Sequence, residues 1–317
     1  MNPALSLSSA VVRTAGAISP RLGAAAAMPF FGHVARPRPV TADDSPTMSL
    51  ARRRTIGIPG IDRRGADVVV YEWGRGPRTV VLAHGWIGRA SQFSALVREL
   101  VAEGYRVVAF DAPAHGGSPG RHSYLADWLD IFAELQTRHG AFDAIIGHSF
   151  GGLATLVGVA GGVDAARVVT ISALADADEV LREFQLMLGH SDAVSARLRE
   201  RFAARYFAGD PDPFAWLSAV RRPLPPDMPL LIAHDEGDRL VPFGEALRIA
   251  SANPGAALLP TAGFGHNRIL AADVVLDAVV DFVTADASDV ARTPAPTPES
   301  ALPAPTPAPA PSEVLVP

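Results

Sequence analysis

The chain contains no cysteine, and that absence removes several kinds of chemistry at once. Disulfides, thiolate metal sites and a cysteine nucleophile are all impossible, and the lack fits a reducing compartment. Long hydrophobic runs are missing too. No stretch approaches the roughly 18 apolar residues of a membrane-spanning helix, so no integral span is expected. Clusters of positive charge are absent as well: 28 Lys and Arg stand against 33 Asp and Glu, a net charge of −5, with no long basic run. Nucleic acid is therefore excluded as the expected partner. None of the nine histidines falls in a metal-ligand spacing such as H-E-x-x-H, so neither a metal nor another cofactor is expected.

What is present is ordinary for a globular protein. Apolar residues make up 48% of 317, enough to bury a large core. Residues 1–34 are mostly small and apolar, and Ala24 to Ala27 resemble a cleavage region. A secretory signal, however, starts with charge and continues in an unbroken apolar stretch. Here no basic residue precedes Arg13, and Arg13, Pro20 and Arg21 interrupt the run. The expectation is a cytoplasmic protein whose first 50 residues form two short helices (about 4–16 and 19–31), docked on the surface of the main domain, and a Pro-containing linker over 36–46.

From residue 51 the pattern changes. Short β-rich runs at 54–58, 66–73 and 79–83 are separated by turn residues such as Gly74, Gly76 and Pro77. A helix over about 90–103, with Phe93, Leu96, Leu100 and Val101 at helical spacing, leads to a buried strand at 105–110. Further strands are expected at 142–147, 168–171 and 229–234, with a shorter one at 256–259. Alternating βα units of this kind imply a mostly parallel sheet with helices on both faces, an α/β fold. The interval between Ile171 and Pro229 has no obvious strand. Val180, Leu181, Phe184, Met187 and Leu188 share an apolar face over 177–189, and Val194, Leu198, Phe202 and Tyr206 continue it over 193–207. A helical cap at about 173–226 is one reading, and extra core packing at the sheet edge is the other. From 285 to 317 repeated Ala-Pro predicts a solvated, extended tail.

The sharpest signal is Gly147-His148-Ser149-Phe150-Gly151-Gly152, between an apolar strand and the helix-forming stretch that begins at Leu153. Glycines two before and two after the serine permit the tight strand-to-helix turn that exposes a nucleophilic hydroxyl. A glycine-rich structural turn is the bland alternative.

At this point the chain resembles the α/β-hydrolase superfamily over roughly residues 54–284, through four motifs in the family's order. Ala83-His84-Gly85-Trp86 is similar to the loop after the third strand. Asp111-Ala112-Pro113-Ala114-His115-Gly116-Gly117-Ser118 is similar to D-x-P-G-H-G-x-S, with Ala114 in place of glycine. The serine turn comes third, and Asp238-Arg239-Leu240-Val241-Pro242 followed by Gly265-His266 completes the set. The resemblance implies a Ser149–His266–Asp238 triad, with Asp235 the second candidate for the acid. It also implies that the backbone N–H groups of Phe150 and Trp86 form an oxyanion hole. The Trp86 ring either shapes the pocket or packs in the core.

Serine is a weak nucleophile until a base takes its proton, which His266 would do while Asp238 holds its tautomer. The expected activity is hydrolysis of a small carboxylic ester through an acyl-enzyme. Phe184, Leu186, Met187 and Leu188 are the candidate pocket walls. Thioester or amide cleavage, acyl transfer and perhydrolysis on the same triad stay open, as does a ligand-binding protein without turnover. Oligomeric state is not legible.

Overall fold

A computed structural model describes residues 3–35 and 39–285. The tail expected over 285–317 lies, but for Ala285, outside the described residues. Runs of β-branched and apolar residues bounded by Gly and Pro form eight strands among the described residues. They are β1 (Arg52–Ile58), β2 (Ala66–Trp73), β3 (Thr79–Ala83), β4 (Arg106–Asp111), β5 (Ala144–His148), β6 (Val168–Ile171), β7 (Leu230–Asp235) and β8 (Ala257–Thr261). One sheet joins them in the order β1-β2-β4-β3-β5-β6-β7-β8. β3 to β8 run parallel, whereas β2 runs against both of its neighbours. This is the expected mostly parallel sheet.

Helices begin with α1 (Pro3–Ile18), α2 (Pro20–Ala27) and α3 (Ser45–Ser49), which precede the sheet in sequence. α4 (Ser94–Ala102), α5 (Leu125–His139) and α6 (Phe150–Ala160) connect its strands. α7 (Ala177–Leu188), α8 (Asp192–Tyr206) and α9 (Pro213–Trp216) all fall between β6 and β7, and α10 (Gly244–Ala252), α11 (Gly265–Arg268) and α12 (Asp273–Thr284) follow. α5, α6 and α10 cover one face of the sheet, while α4 and α12 cover the other. Side chains alternate accordingly: Val81 and Ala83 of β3 enter the first core, Val80 and Leu82 the second. Because both faces are buried, the parallel strands read as unbroken apolar runs.

The interval between β6 and β7 is anchored where it begins. Asp176 caps α7 by accepting the amide of Glu179 at 3.1 Å, and Gly189 ends the helix in a left-handed conformation at φ 66°. Arg248 of α10 pairs with Asp176, and Glu245 accepts the Ala175 amide at 2.9 Å. α1 and α2 rest on α7 and α8 rather than on the sheet layers. Their contact is close: a Cβ on Gly23 would lie 2.8 Å from the Gly16 Cα and 2.7 Å from Val194 Cγ2. No helix among the described residues is long and apolar enough to cross a membrane.

Candidate active site

The strand order reverses at β3, whose successor β4 lies on one side and β5 on the other. Loops leaving two such strands part from each other and open a crevice at the carboxyl ends. Ala83 pairs in register with Gly147, so the loop beginning at His84 and the turn at Ser149 start side by side.

Ser149 sits between β5 and α6 at φ 56°, ψ −122°, a conformation that costs a non-glycine residue free energy. Close packing holds it there. A Cβ on Gly147 would come within 2.3 Å of the Gly151 carbonyl oxygen, and one on Gly151 within 2.2 Å of the Ala83 oxygen. One on Gly85 would fall 2.7 Å from the Ser149 Cβ. The glycines are thus required by contact across the turn.

The turn after β7 carries Asp238 and the segment after β8 carries His266. His266 Nδ1 lies 2.7 Å from Asp238 Oδ2. A carboxylate can only accept here, so Nδ1 is the donor and Nε2 is the nitrogen left free of Asp238. The other Asp238 oxygen accepts the amides of Leu240 at 2.8 Å and Val241 at 3.0 Å. Burial pushes the Asp238 carboxyl up, but the His266 hydrogen bond and these amides outweigh it and hold it below its ordinary range. Asp235 is also buried and turns elsewhere. It accepts Gly237 N at 3.0 Å, Thr261 Oγ1 at 3.1 Å and Phe264 N at 2.9 Å, tying the segment before His266 to the end of β7.

The remaining histidines of the site are neutral struts. His148 Nε2 donates to the His266 carbonyl at 2.8 Å, and burial, with His266 second, lowers its pKa to about 3. His84 donates through Nδ1 to Gly85 O at 2.7 Å and accepts the Ala112 amide on Nε2 at 3.0 Å, with its pKa lowered to about 4 by burial. The His115 ring meets Trp86 at 5.2 Å and Trp128 at 5.3 Å, and burial lowers it to about 3. Asp111 organises the loop below them, accepting Ala90 N at 2.8 Å, Gly117 N at 2.6 Å and the Tyr71 hydroxyl at 3.0 Å.

Ser149 and His266 line one cavity of about 460 Å³, within the range that holds a small-molecule ligand. Trp86 and Phe150 line it too, and neither of their amides donates a hydrogen bond to another group among the described residues. The Trp86 ring serves pocket and core together, lying 5.5 Å from Phe150 while facing the cavity. Among the described residues no group of three or more His, Asp or Glu is arranged to hold a metal ion.

Of the four pocket walls expected on α7, the structure brings two to the cavity, Phe184 and Met187. Leu186 does not reach it: the side chain is 62% exposed on the opposite side of the helix, because two residues along a helix turn about 200°. Leu188 is buried away from the cavity, beneath the Ser9 hydroxyl that donates to its carbonyl at 2.6 Å. Sequence reasoning missed Phe30, Phe31, Gly32 and His33, which also line the cavity. Phe30-Phe31 after a small-residue helix is the one local signal that marks them.

A model of the alpha/beta hydrolase family matches residues 80–315. A serine hydrolase-like protein of Dictyostelium discoideum is 31% identical over 104 residues, covering 29% of this chain and 28% of that protein. A non-heme haloperoxidase of Rhodococcus erythropolis is 33% identical over 95 residues, 28% of this chain and 33% of the other. The match spans a third or less of the length of these two relatives. Among solved structures, an esterase from Pyrococcus furiosus superposes with a TM-score of 0.54 at 20% identity, over 80% of this chain and 98% of that one. A bromoperoxidase from Bacillus anthracis gives 0.52 at 17%, over 73% and 100%. At such identities the likeness is one of fold. With the family match spanning most of the chain, the conclusion follows that this protein belongs to the alpha/beta hydrolase family.

Proposed function

We propose that the chain is a serine hydrolase that cleaves a carboxylic ester through an acyl-enzyme intermediate. The observation that carries this reading is the 2.7 Å bond from His266 to Asp238, on the cavity that the backbone-strained Ser149 also lines. Asp238 keeps the His266 proton on Nδ1, so Nε2 is left to accept one. Ser149 Oγ attacks the ester carbonyl carbon while its proton passes to His266. The amides of Phe150 and Trp86, the first at the amino end of α6, receive the negative oxygen; one such donor is worth roughly 10²–10³ in turnover. Collapse expels the alcohol, which leaves with the proton from His266, and water repeats the sequence to free the acid. α7 to α9 act as the cap, supplying the apolar wall through Phe184, Met187, Phe202 and Phe214.

A second reading keeps the triad and changes the acceptor. Two relatives bear the name non-heme haloperoxidase or chloroperoxidase. Hydrogen peroxide attacking the acyl-enzyme in place of water would release a peracid and regenerate the Ser149 hydroxyl. Fluorophosphonate labelling tests the nucleophile in both readings. The wild-type protein should be labelled and should hydrolyse a chromogenic ester, while a folded Ser149→Ala protein should do neither, with turnover down by roughly 10⁶. Labelling that persists in that variant removes Ser149 from the mechanism. Peracid formation with hydrogen peroxide, faster than ester hydrolysis, would favour the second reading.

A further inference from the structure

We infer that residues 29–34, upstream of the family-matched region, form part of the substrate site, and that Phe31 is the wall that limits the length of an apolar acyl chain. The substrate class rests on the ester reading; the wall itself does not. Phe31 lines the same cavity as Ser149 and His266 and is only 8% exposed. Its ring meets Phe184 of α7 edge-on at 5.1 Å and Phe202 of α8 at 5.2 Å. A ring clasped on two sides in this way cannot swing aside for a ligand without breaking the packing around it.

The segment is fixed by its backbone as well. Val34 N donates to Arg121 O at 3.0 Å, Ser123 N donates to Gly32 O at 2.9 Å, and His122 Nε2 donates to Pro29 O at 2.9 Å. Gly32 adopts φ 80°, and a Cβ there would stand 2.4 Å from Tyr124 Cε1, so only glycine lets the segment lie this close. α2 carries the segment's near end and rests on α8. Residues 29–34 are therefore built into the cavity, although the family match begins at residue 80.

The chemistry of this end of the cavity selects the ligand. Phe31, Phe184, Phe202, Phe214 and Leu217 offer carbon surface, and the one carboxylate among the lining residues, Glu183, is paired with Arg182. Such a surface favours a hydrocarbon chain and penalises a polar one, whose groups would lose water without gaining partners. A medium-length acyl chain, reaching from Ser149 toward Phe31, is the ligand that fits.

Two substitutions at Phe31 test the wall, since they should act in opposite directions. Phe31→Trp fills the end of the cavity, and Phe31→Leu opens it. The ratio of kcat/KM for an octanoyl over a butanoyl ester should fall roughly tenfold in the first and rise in the second. A purely structural role would lower both esters together and leave the ratio alone. The second readout needs no turnover: octanoate binding to Ser149→Ala protein, measured by calorimetry, should weaken by a similar factor when Phe31→Trp is added. Phe31-dependent octanoate binding alongside a wild-type protein that hydrolyses no ester would overturn the ester reading and leave the wall standing. Hydrolysis with an unchanged ratio in both folded variants overturns the wall and leaves the ester reading standing. Octanoate binding indifferent to Phe31, or absent, also counts against the wall.

Discussion

Asp238 grips His266 with one carboxylate oxygen and its own loop with the other, so a single side chain joins the imidazole to the end of β7. Asp235, three residues earlier and equally buried, makes no bond to the ring; its partners are Gly237, Thr261 and Phe264. One carboxylate orients the imidazole, and the other orients the segment that presents it.

That division predicts different phenotypes. Asp238→Asn should lower kcat by roughly 10⁴, because the amide no longer favours the productive tautomer. Asp235→Asn should act chiefly on stability, costing about 1–3 kcal/mol as a buried amide loses its acceptor, with the smaller loss of kcat. Steady-state rates and thermal melts of both variants check this. If Asp235→Asn proved the more damaging to kcat in a folded protein, the two roles would be exchanged.

The buried histidines make stability depend on pH. Burial holds His84 at about 4 and His115 and His148 at about 3, against 6.5 in the unfolded chain. Between those values the native state binds fewer protons, so stability falls as pH drops through 6.5. His139, His190 and His234 shift in the same direction. Asp127 opposes them: burial raises it to about 6 from 3.8, so it adds stability on acidification, and Asp130 is raised likewise. The histidines outnumber the carboxyls, and the net slope should be a loss. Urea unfolding across the range measures it, and His115→Asn should flatten the slope by up to about one proton. Level or rising stability on acidification would mean that these rings are not buried and neutral.

Three non-glycine residues in and around the site carry positive φ, Ser149 at 56°, Ile87 at 55° and Ala114 at 65°. Ala114 stands where the motif it resembles has glycine. The left-handed region costs alanine roughly 1–2 kcal/mol, and glycine returns roughly 0.4–1 through the freer unfolded chain. Ala114→Gly should therefore stabilise by about 0.5–1 kcal/mol, a rise of about 2 °C in Tm for a chain of this size. Ser149→Gly should melt above Ser149→Ala for the same reason. A lower Tm for Ala114→Gly would show that its methyl contributes more than its backbone costs.

Much of the scaffold was legible because local chemistry bounds it. β2, β3 and β6 begin and end where turn residues or polar neighbours interrupt β-branched runs. α4 carries Leu96, Leu100 and Val101 at a helical spacing that periodicity alone detects. The same periodicity separates Leu186 from Phe184, since residues two apart cannot share a helix face. Other relationships leave no local trace. Asp235, Glu236 and Asp238 lie within four residues, and which of them meets His266 depends on how the segment after β8 returns to β7. The seating of residues 29–34 against 121–124 joins positions about ninety apart, and a run of small apolar residues does not say which surface it will meet.

The tight contacts among Gly85, Gly147 and Gly151 also bear on how such a protein can change over generations. Any side chain at these positions collides with backbone or with Ser149 itself, so substitution there forces the turn to move. Above Ser149 the walls come from side chains such as Phe31, Phe184 and Met187, which can be exchanged one at a time without moving the turn. Heritable variation in what the cavity accepts is thereby channelled into the upper layer, while the turn at Ser149 is inherited as a block.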